Sequence, residues 1–151
     1  MESKINYLRE NYKSTKKLVQ YLVKSAGYNA NFLLNVGPMP NGKIQPEFVK
    51  TLGEMGEWMK KYGETIYGTR GGPVTPKSWG VTTAKGNLVY VHLLNPESET
   101  LLLPEFGKKV KKAYLFDDNS KVDFKQDGFG TVIKVPSARL HEIDTIVVIE
   151  I

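Results

Sequence analysis

Residues 31–70 decide the fold and read NFLLNVGPMPNGKIQPEFVKTLGEMGEWMKKYGETIYGTR. They begin with an almost continuously apolar run, Asn31–Val36, which favours a strand covered on both faces, as in a parallel sheet. Residues 37–42 contain Pro, Gly and Asn, the residue types that fix or permit the backbone angles of a turn. Pro46 suits the first turn of a following helix, and Gly63 is placed to end it. The stretch therefore predicts a strand, a turn and a helix, which form one β/α unit.

Apolar side chains support the second of two predicted helices. They recur at three- and four-residue spacing, the pattern of a single buried helix face. Upstream, Ser14 is a suitable N-cap for another helix that runs to about Ala26 and stops at Gly27. The order of helix, buried strand and helix is typical of the end of a parallel α/β architecture. The stripe consists of Phe48, Leu52, Met55, Met59 and Tyr62.

The chain changes character after Arg70, where a connection rich in Gly and Pro begins and helical periodicity does not return. Short β-prone runs separated by turns predict six or seven strands in an antiparallel β-sandwich. The clearest strand, Asn87–Leu94, alternates between two faces. A hairpin turn is expected at residues 117–120 and a second tight turn at residues 127–130. The predicted strands are residues 87–94, 100–103, 110–116, 122–124, 131–135 and 145–151.

Length and composition exclude several kinds of protein. With 151 residues the chain is too short for a complete (β/α)8 barrel, which needs about 250. It has no Cys, so neither a disulfide framework nor a thiolate metal site is expected, and the compartment is left open. No apolar run approaches the roughly 18 to 20 residues of a membrane span, and residues 1–10 lack the apolar core of a signal peptide. The net charge of +5 comes from dispersed lysines, with a cluster at residues 108–112. That cluster flanks a predicted strand, so we expect neither nucleic acid nor membrane as a partner.

Four short pieces of residues 31–70 have a recognisable order and spacing. Together with residues 11–14 and residues 143–148, they resemble the C-terminal part of the α-L-fucosidases, glycoside hydrolase family 29. The resemblance implies that residues 1–70 form the end of a (β/α)8 catalytic barrel and that residues 74–151 form an accessory β-sandwich. The pieces are Leu33–Pro38, Asn41–Ile44, Gly56–Trp58 and Gly63–Arg70.

The resemblance also implies a parent reaction, the hydrolysis of terminal α-L-fucose with retention of configuration and without a cofactor. Such a reaction needs two carboxyl groups about 5 to 5.5 Å apart. The nucleophile of the family is an Asp in a Trp-x-Asp-Gly setting, which follows neither Trp58 nor Trp79, and the acid/base Glu normally lies upstream of the matched region. No catalytic residue is therefore predicted in this chain. Three carboxylates on or just after the second helix are predicted to be solvated: Glu54, Glu57 and Glu64. Three others are predicted to form turns: Asp117, Asp118 and Asp127.

One polar side chain is a candidate for the sugar pocket. Asn35 ends the predicted barrel strand on the side where barrel active sites form, so it is predicted to bind substrate or to support the pocket. The alternative, preferred from the residues alone, is that Asn35 caps the turn before Gly37. His92 is predicted to be a hydrogen-bonded, half-buried strand residue. Because two isolated histidines, His92 and His141, do not form a metal site, no metal ligand is predicted.

The predicted function is that of a C-terminal fragment of a retaining α-L-fucosidase, inactive without the rest of the barrel. Its expected partner is the missing N-terminal barrel portion, or a second copy through self-association, and a fucosylated glycan is the expected partner of the parent enzyme. Two alternatives remain, a carbohydrate-binding module and a purely structural β-sandwich. The first would use aromatic side chains that the sequence places more readily in the core or at the barrel contact. These are Trp79, Tyr90, Tyr114 and Phe129.

Overall fold

In the computed structural model, which describes residues 12–151, two helices lie on one face of a β-sandwich. Helix α1 spans Thr15–Gly27 and helix α2 spans Pro46–Tyr62, and a 3-10 turn at Gly63–Thr65 continues α2. Ser14 caps α1 as predicted, because its hydroxyl accepts a hydrogen bond from the Lys17 amide at 3.3 Å. The first eleven residues of the predicted barrel part lie outside the described range.

The sandwich is formed by a five-stranded and a three-stranded sheet, and all strand pairs in both are antiparallel. The antiparallel sandwich predicted from the strand spacing is therefore confirmed. In chain order the strands are β1 (Arg70–Gly71), β2 (Gly80–Lys85), β3 (Leu88–Leu93), β4 (Thr100–Pro104), β5 (Lys112–Leu115), β6 (Asp123–Asp127), β7 (Gly130–Lys134) and β8 (Thr145–Glu150). The larger sheet has the order β1-β2-β3-β8-β5, and the smaller has the order β4-β7-β6.

Two features of the sandwich differ from the prediction. Strand β2 was not among the predicted strands, although the structure pairs it along its whole length with β3. The turn at residues 117–120 is not a hairpin between neighbouring strands, because β5 belongs to the larger sheet and β6 to the smaller. A single bridge between Tyr114 and Lys121 starts a hairpin there, and the chain then crosses to the other sheet. The second predicted turn does join paired strands, since Asp127 and Gly130 are partners.

Two apolar clusters lie on the two faces of the larger sheet. Val89, Val91 and Leu93 of β3 point into the space between the sheets, whereas Leu88 and Tyr90 point toward the helices. The predicted alternation of β3 is therefore confirmed. The helix-side cluster consists of Leu18, Val19 and Val23 of α1, Met55, Trp58 and Tyr62 of α2, and Val81, Tyr90, Leu94, Ile146 and Val148 beneath them.

Helix α1 ends where it meets the sheet, at Gly27. A Cβ atom at this position would lie 2.5 Å from the Cβ of Val81, far inside a normal contact. Gly71 approaches the same point, because a Cβ there would lie 2.6 Å from the Gly27 carbonyl oxygen. The two glycines thus let the helix end, β1 and β2 touch directly.

The apolar run Asn31–Val36 is extended but pairs with no strand among residues 12–151. Phe32 and Leu34 pack against the helix-side cluster, whereas Leu33 is 82% exposed. The segment therefore differs from the prediction of a strand covered on both faces. The physical reason is that the described residues cover it on one face only, through the helices. No helix in the described range is both long and apolar enough to cross a membrane.

Candidate functional site

Asn35 lies at the edge of a groove between the extended segment and the two helices. The groove has a volume of about 350 Å³ and a largely apolar lining that includes Leu34, Phe48 and Leu52. Tyr12 closes one side, with its ring packed edge-on against Phe48 at a centroid distance of 5.0 Å. Phe48 and Leu52 belong to the predicted apolar stripe of α2, but Leu52 is 40% exposed here. The described residues thus leave this apolar groove open to solvent.

The Asn35 side chain itself is exposed and makes no hydrogen bond with another described residue. The turn that follows is held by other groups. The Met39 amide donates to the Lys43 carbonyl at 2.8 Å, and the Lys43 amide donates to Oδ1 of Asn41 at 3.0 Å. Asn41 therefore performs the local capping that was the alternative explanation for Asn35. The predicted role of Asn35 in substrate binding stays a prediction.

Asp117 joins the end of α2 to the sandwich and is more than a turn former. Its carboxylate accepts a hydrogen bond from the Tyr62 hydroxyl at 2.8 Å, forms a salt bridge with Lys61, and lies 2.8 Å from Nε2 of His141. Burial alone would raise the pKa of Asp117, but the hydrogen bonds from Lys61 and Tyr62 outweigh it and hold this pKa below its ordinary value. The hydrogen bond to Asp117 also raises the pKa of Lys61. No local sequence signal indicates this role, because the donors Lys61 and Tyr62 lie far from Asp117 along the chain.

The other carboxylates discussed in the sequence analysis have the roles that the sequence predicted. Asp118 and Asp127 are turn formers, since each accepts a hydrogen bond at 2.9 Å from the backbone amide two residues later. Glu54, Glu57 and Glu64 are exposed. Glu64 additionally accepts a hydrogen bond from the hydroxyl of Tyr90 at 3.2 Å. Burial and the nearby Glu64 carboxylate raise the pKa of Tyr90 to about 12.

His92 is completely buried, and its ring lies in a polar network. Nδ1 is 2.7 Å from Oδ2 of Asp144, and Nε2 is 3.1 Å from the hydroxyl of Thr83, which donates to the Thr65 carbonyl at 2.7 Å. A hydroxyl, an imidazole and a carboxylate in this order also form nucleophilic sites. Here Thr83 and His92 are both 0% exposed, so no substrate can reach the hydroxyl. The histidine is hydrogen-bonded as predicted, although it is fully rather than half buried.

The network was not predicted, but the sequence contains a weak signal for it. Alternation along β3 puts His92 on the helix-side face together with Tyr90, and a buried imidazole on that face requires polar partners. No group of three or more His, Asp or Glu residues that could hold a metal ion occurs within residues 12–151.

The aromatic candidates for glycan binding are mostly inside the molecule. Trp79 is 9% exposed and Tyr90 is 1% exposed, whereas Tyr114 is half-buried. Phe129 differs, because it is 86% exposed at the tip of the β6–β7 hairpin. Only one of the four side chains is thus freely available to a ligand in the described chain.

Sequence comparisons identify relatives of this chain. A family model described as "Alpha-L-fucosidase" matches residues 1–64. The plasma alpha-L-fucosidase of Homo sapiens is 36% identical over 141 residues, a match that covers 87% of this chain and 30% of the human protein. The chain thus spans about 30% of the length of the first curated relatives that it matches.

Solved structures give the same relationship. Alpha-L-fucosidase isoenzyme 1 from Paenibacillus thiaminolyticus matches with a TM-score of 0.81 at 31% identity, over 93% of this chain and 35% of that one. The α-fucosidase of Thermotoga maritima, in complex with a mechanism-based inhibitor, matches with a TM-score of 0.78 at 28% identity, over 94% and 35% of the two chains. The chain therefore belongs to the α-L-fucosidase family and corresponds to the C-terminal portion of its members, the last β/α unit of the barrel followed by the β-sandwich.

Proposed function

We propose that this chain is the non-catalytic C-terminal part of a retaining α-L-fucosidase and that its β/α unit completes the catalytic barrel. The observation that carries the proposal is the alternation along residues 32–35. Phe32 and Leu34 pack toward the helices, whereas Leu33 and Asn35 are exposed on the opposite face. In a (β/α)8 barrel the helices surround the strands, so the strand face away from its helix points into the barrel interior. An exposed leucine on that face fits the packed interior of an assembled barrel.

The same alternation supports a role for Asn35 in the sugar pocket. Asn35 lies on the face of Leu33 but two residues later, next to the loop that leads into α2. Active sites of (β/α)8 barrels form at the ends of the strands that precede such loops. Asn35 then faces the mouth of the barrel, where an amide can donate and accept hydrogen bonds with sugar hydroxyls. Fucose is the sugar present in one structure of the Thermotoga maritima relative, which supports α-L-fucose as the substrate unit of the parent enzyme.

Hydrolysis itself belongs, in this proposal, to the assembled enzyme. The chain carries no Trp-x-Asp-Gly motif, the setting of the nucleophile implied by the family resemblance. A retaining mechanism without its attacking carboxylate loses several orders of magnitude in rate. The chain alone is therefore expected to be inactive toward fucosides.

A structural role for the sandwich is favoured over a carbohydrate-binding one. Three of the four aromatic candidates are buried or half-buried, so Phe129 is the one member of this set that a glycan can reach freely. Two polar contacts instead connect the sandwich to the end of α2. Tyr62 donates a hydrogen bond to Asp117, and Tyr90 donates one to Glu64. These contacts support a domain that holds the last barrel helix in place.

The test is reconstitution of activity from two pieces. The chain alone should not hydrolyse a chromogenic α-L-fucoside, whereas the chain mixed or co-expressed with the upstream barrel portion of a family member should. In the reconstituted enzyme, Asn35→Ala is expected to lower kcat/KM by about tenfold or more, the size of a lost hydrogen bond in a buried pocket. Asn31→Ala is the matched control, because Asn31 is the same residue type on the same exposed face at the opposite end of the segment.

Two results would contradict the proposal. One is hydrolysis by the chain alone that a single substitution within its 151 residues abolishes. The other is a stable complex with the upstream portion that binds fucose but never turns over, which would mean that the β/α unit does not complete the site. Equal activity of Asn35→Ala and Asn31→Ala would remove Asn35 from the pocket and leave the rest of the proposal in place.

A further inference from the structure

The end of α2 has a backbone carbonyl that the helix cannot satisfy. The last carbonyls of a helix lack partners within it and need a donor from elsewhere. The carbonyl oxygen of Thr65, the final residue of the 3-10 turn, accepts a hydrogen bond from the hydroxyl of Thr83 in β2 at 2.7 Å. Both residues are 0% exposed, so water does not compete at this contact. The sandwich thus supplies a donor that the helix end requires.

Hydrogen bonding around Thr83 requires a proton on one nitrogen of the His92 ring, Nε2. A hydroxyl has a single hydrogen, and that of Thr83 points to the Thr65 carbonyl. The Thr83 oxygen must then accept from the ring, which means that Nε2 of His92, 3.1 Å away, carries a proton. The opposite nitrogen, Nδ1, is 2.7 Å from Oδ2 of Asp144, within the range of charge-assisted hydrogen bonds. Asp144 therefore holds the ring in the orientation in which Nε2 faces Thr83.

We propose that His92 and Asp144 are positioning residues, which act through Thr83 on the Thr65 carbonyl and so fix the end of α2 against the sandwich. This latch, formed by Thr65, Thr83, His92 and Asp144, is a property of the chain itself and does not depend on the proposed activity. It fixes the position of the C-terminal end of α2 on the larger sheet.

The latch differs from the other polar contacts at the helix end. The side chain of Asp117, which binds Tyr62, is 19% exposed, and Glu64, which binds Tyr90, is exposed. Water can replace those two contacts when they open. The side chains of His92 and Asp144 are both 0% exposed, so an open latch leaves buried polar groups without partners. The latch therefore resists opening more than its neighbours do.

Strand β2 offers a matched pair of substitutions for the test. Thr83 and Thr82 are adjacent, both are buried, and each hydroxyl donates one hydrogen bond to a carbonyl. The Thr83 bond goes to the helix end, whereas the Thr82 bond goes to Val74 at 3.0 Å. Thr83→Val removes the latch, Thr82→Val removes an equivalent bond elsewhere, and Thr83→Ser restores the hydroxyl.

Hydrogen exchange of the full chain reads out the latch locally. The amides of Ile66 and Tyr67, which donate to the Gly63 carbonyl, should exchange about fivefold to tenfold faster in Thr83→Val, the effect of one lost hydrogen bond. The same amides should exchange at the wild-type rate in Thr82→Val and in Thr83→Ser. Equal acceleration in Thr82→Val and Thr83→Val would overturn the proposal.

Nitrogen NMR of the histidines tests the wild-type chain without any substitution. The Nε2 proton of His92 should be visible and slow to exchange, whereas the ring protons of His141, whose side chain is 51% exposed, should exchange rapidly. Thr83→Val should speed the exchange of the His92 Nε2 proton, and Thr83→Ser should restore it. A His92 ring without a proton on Nε2 would overturn the proposal, even if Thr83→Val failed to fold.

Discussion

The space between the two sheets and the groove beside residues 31–36 are both lined by apolar side chains, but only the first is closed. Leu103 and Ile133 between the sheets are 0% exposed, whereas Leu52 in the groove is 40% exposed and Leu33, on the other face of the extended segment, is 82% exposed. The residue types are alike, so hydrophobicity does not account for the difference. In the described chain, each sheet of the sandwich covers the apolar face of the other. The β/α unit has no such second layer over its exposed apolar face.

Helix α2 shows the same contrast within one element. Its second half, with Met55, Trp58 and Tyr62, is buried against the larger sheet. Its first half, with Phe48 and Leu52, lines the open groove. The second half of the helix is therefore covered by this chain. In our proposal, the first half is covered by the rest of the barrel.

The largest effect is expected from a cavity in the closed region. Leu103→Ala removes a fully buried side chain between the sheets and should lower the free energy of unfolding by about 2 to 5 kcal/mol. Urea denaturation measures this loss. The neighbouring Leu102→Ala is the control, because Leu102 is 51% exposed on the outer face of the same strand and should change stability by no more than about 0.5 kcal/mol. Similar losses for both variants would mean that the inter-sheet space is not a packed core.

A smaller effect is expected where the two regions meet, at Asp117. Asp117→Asn weakens the contacts to Lys61, Tyr62 and His141 and should lower the free energy of unfolding by about 1 to 3 kcal/mol. The pKa of Asp117 is lower in the folded chain than in the unfolded chain, so its ionised form stabilises the fold. This stabilisation is fully present above the ordinary Asp pKa of about 3.9 and is lost as the pH falls through the lower folded value.

Denaturation at several pH values checks this assignment. The difference between the free energies of unfolding of the wild type and Asp117→Asn should shrink as the pH falls below about 4. A difference that grows on acidification would show that the carboxylate destabilises the fold.

The open region should respond in solubility more than in stability. Leu33→Ser changes a side chain that is 82% exposed, so the free energy of unfolding should change by no more than about 0.5 kcal/mol. Self-association of the chain, measured by light scattering, should nevertheless decrease, because an exposed apolar edge invites pairing with another copy. Leu34→Ser is the control, since Leu34 packs against the helices and its replacement should destabilise. A strictly monomeric wild-type chain would show that the exposed face of the extended segment is not a self-association surface.

The smallest effect is expected at Phe129, the one exposed aromatic of the four glycan candidates. Phe129→Ser should leave the free energy of unfolding within about 0.5 kcal/mol of the wild type. If the sandwich is structural, a glycan array should show no ligand for either protein. A glycan bound by the wild type and lost in Phe129→Ser would instead favour the carbohydrate-binding alternative.

Local signals predicted much of this fold correctly. Ser14 and Gly27 mark the ends of α1, and Pro46 and Gly63 mark those of α2, because caps and stops act within a few residues. The faces of β3 followed from alternation alone. The position of Asn35 at the end of an extended segment could be predicted in the same way, and its exposure agrees with that position.

Features that depend on contacts between residues far apart in the sequence could not be predicted from local signals. Strand β2, GVTTAK, is mostly small and polar, and its burial comes from the helices on one side and the second sheet on the other. The crossing at residues 117–120 looks like a hairpin because turn chemistry does not determine which sheet the next strand joins. Asp117 and Asp118 are adjacent turn residues, and only the tertiary structure gives the first one its partners on α2.

Strand β3 is buried on both faces, and its alternation has a consequence for how the family can change. Val89 and Val91 must fit the second sheet, whereas Tyr90 and His92 must fit the helices. Substitutions at odd-numbered positions can therefore be compensated within the sandwich, while those at even-numbered positions must be matched by changes near α2. A single strand thus carries two interleaved sets of constraints, and a chimera that exchanges sandwiches between relatives should transplant the even-numbered residues of the strand together with the helix they touch.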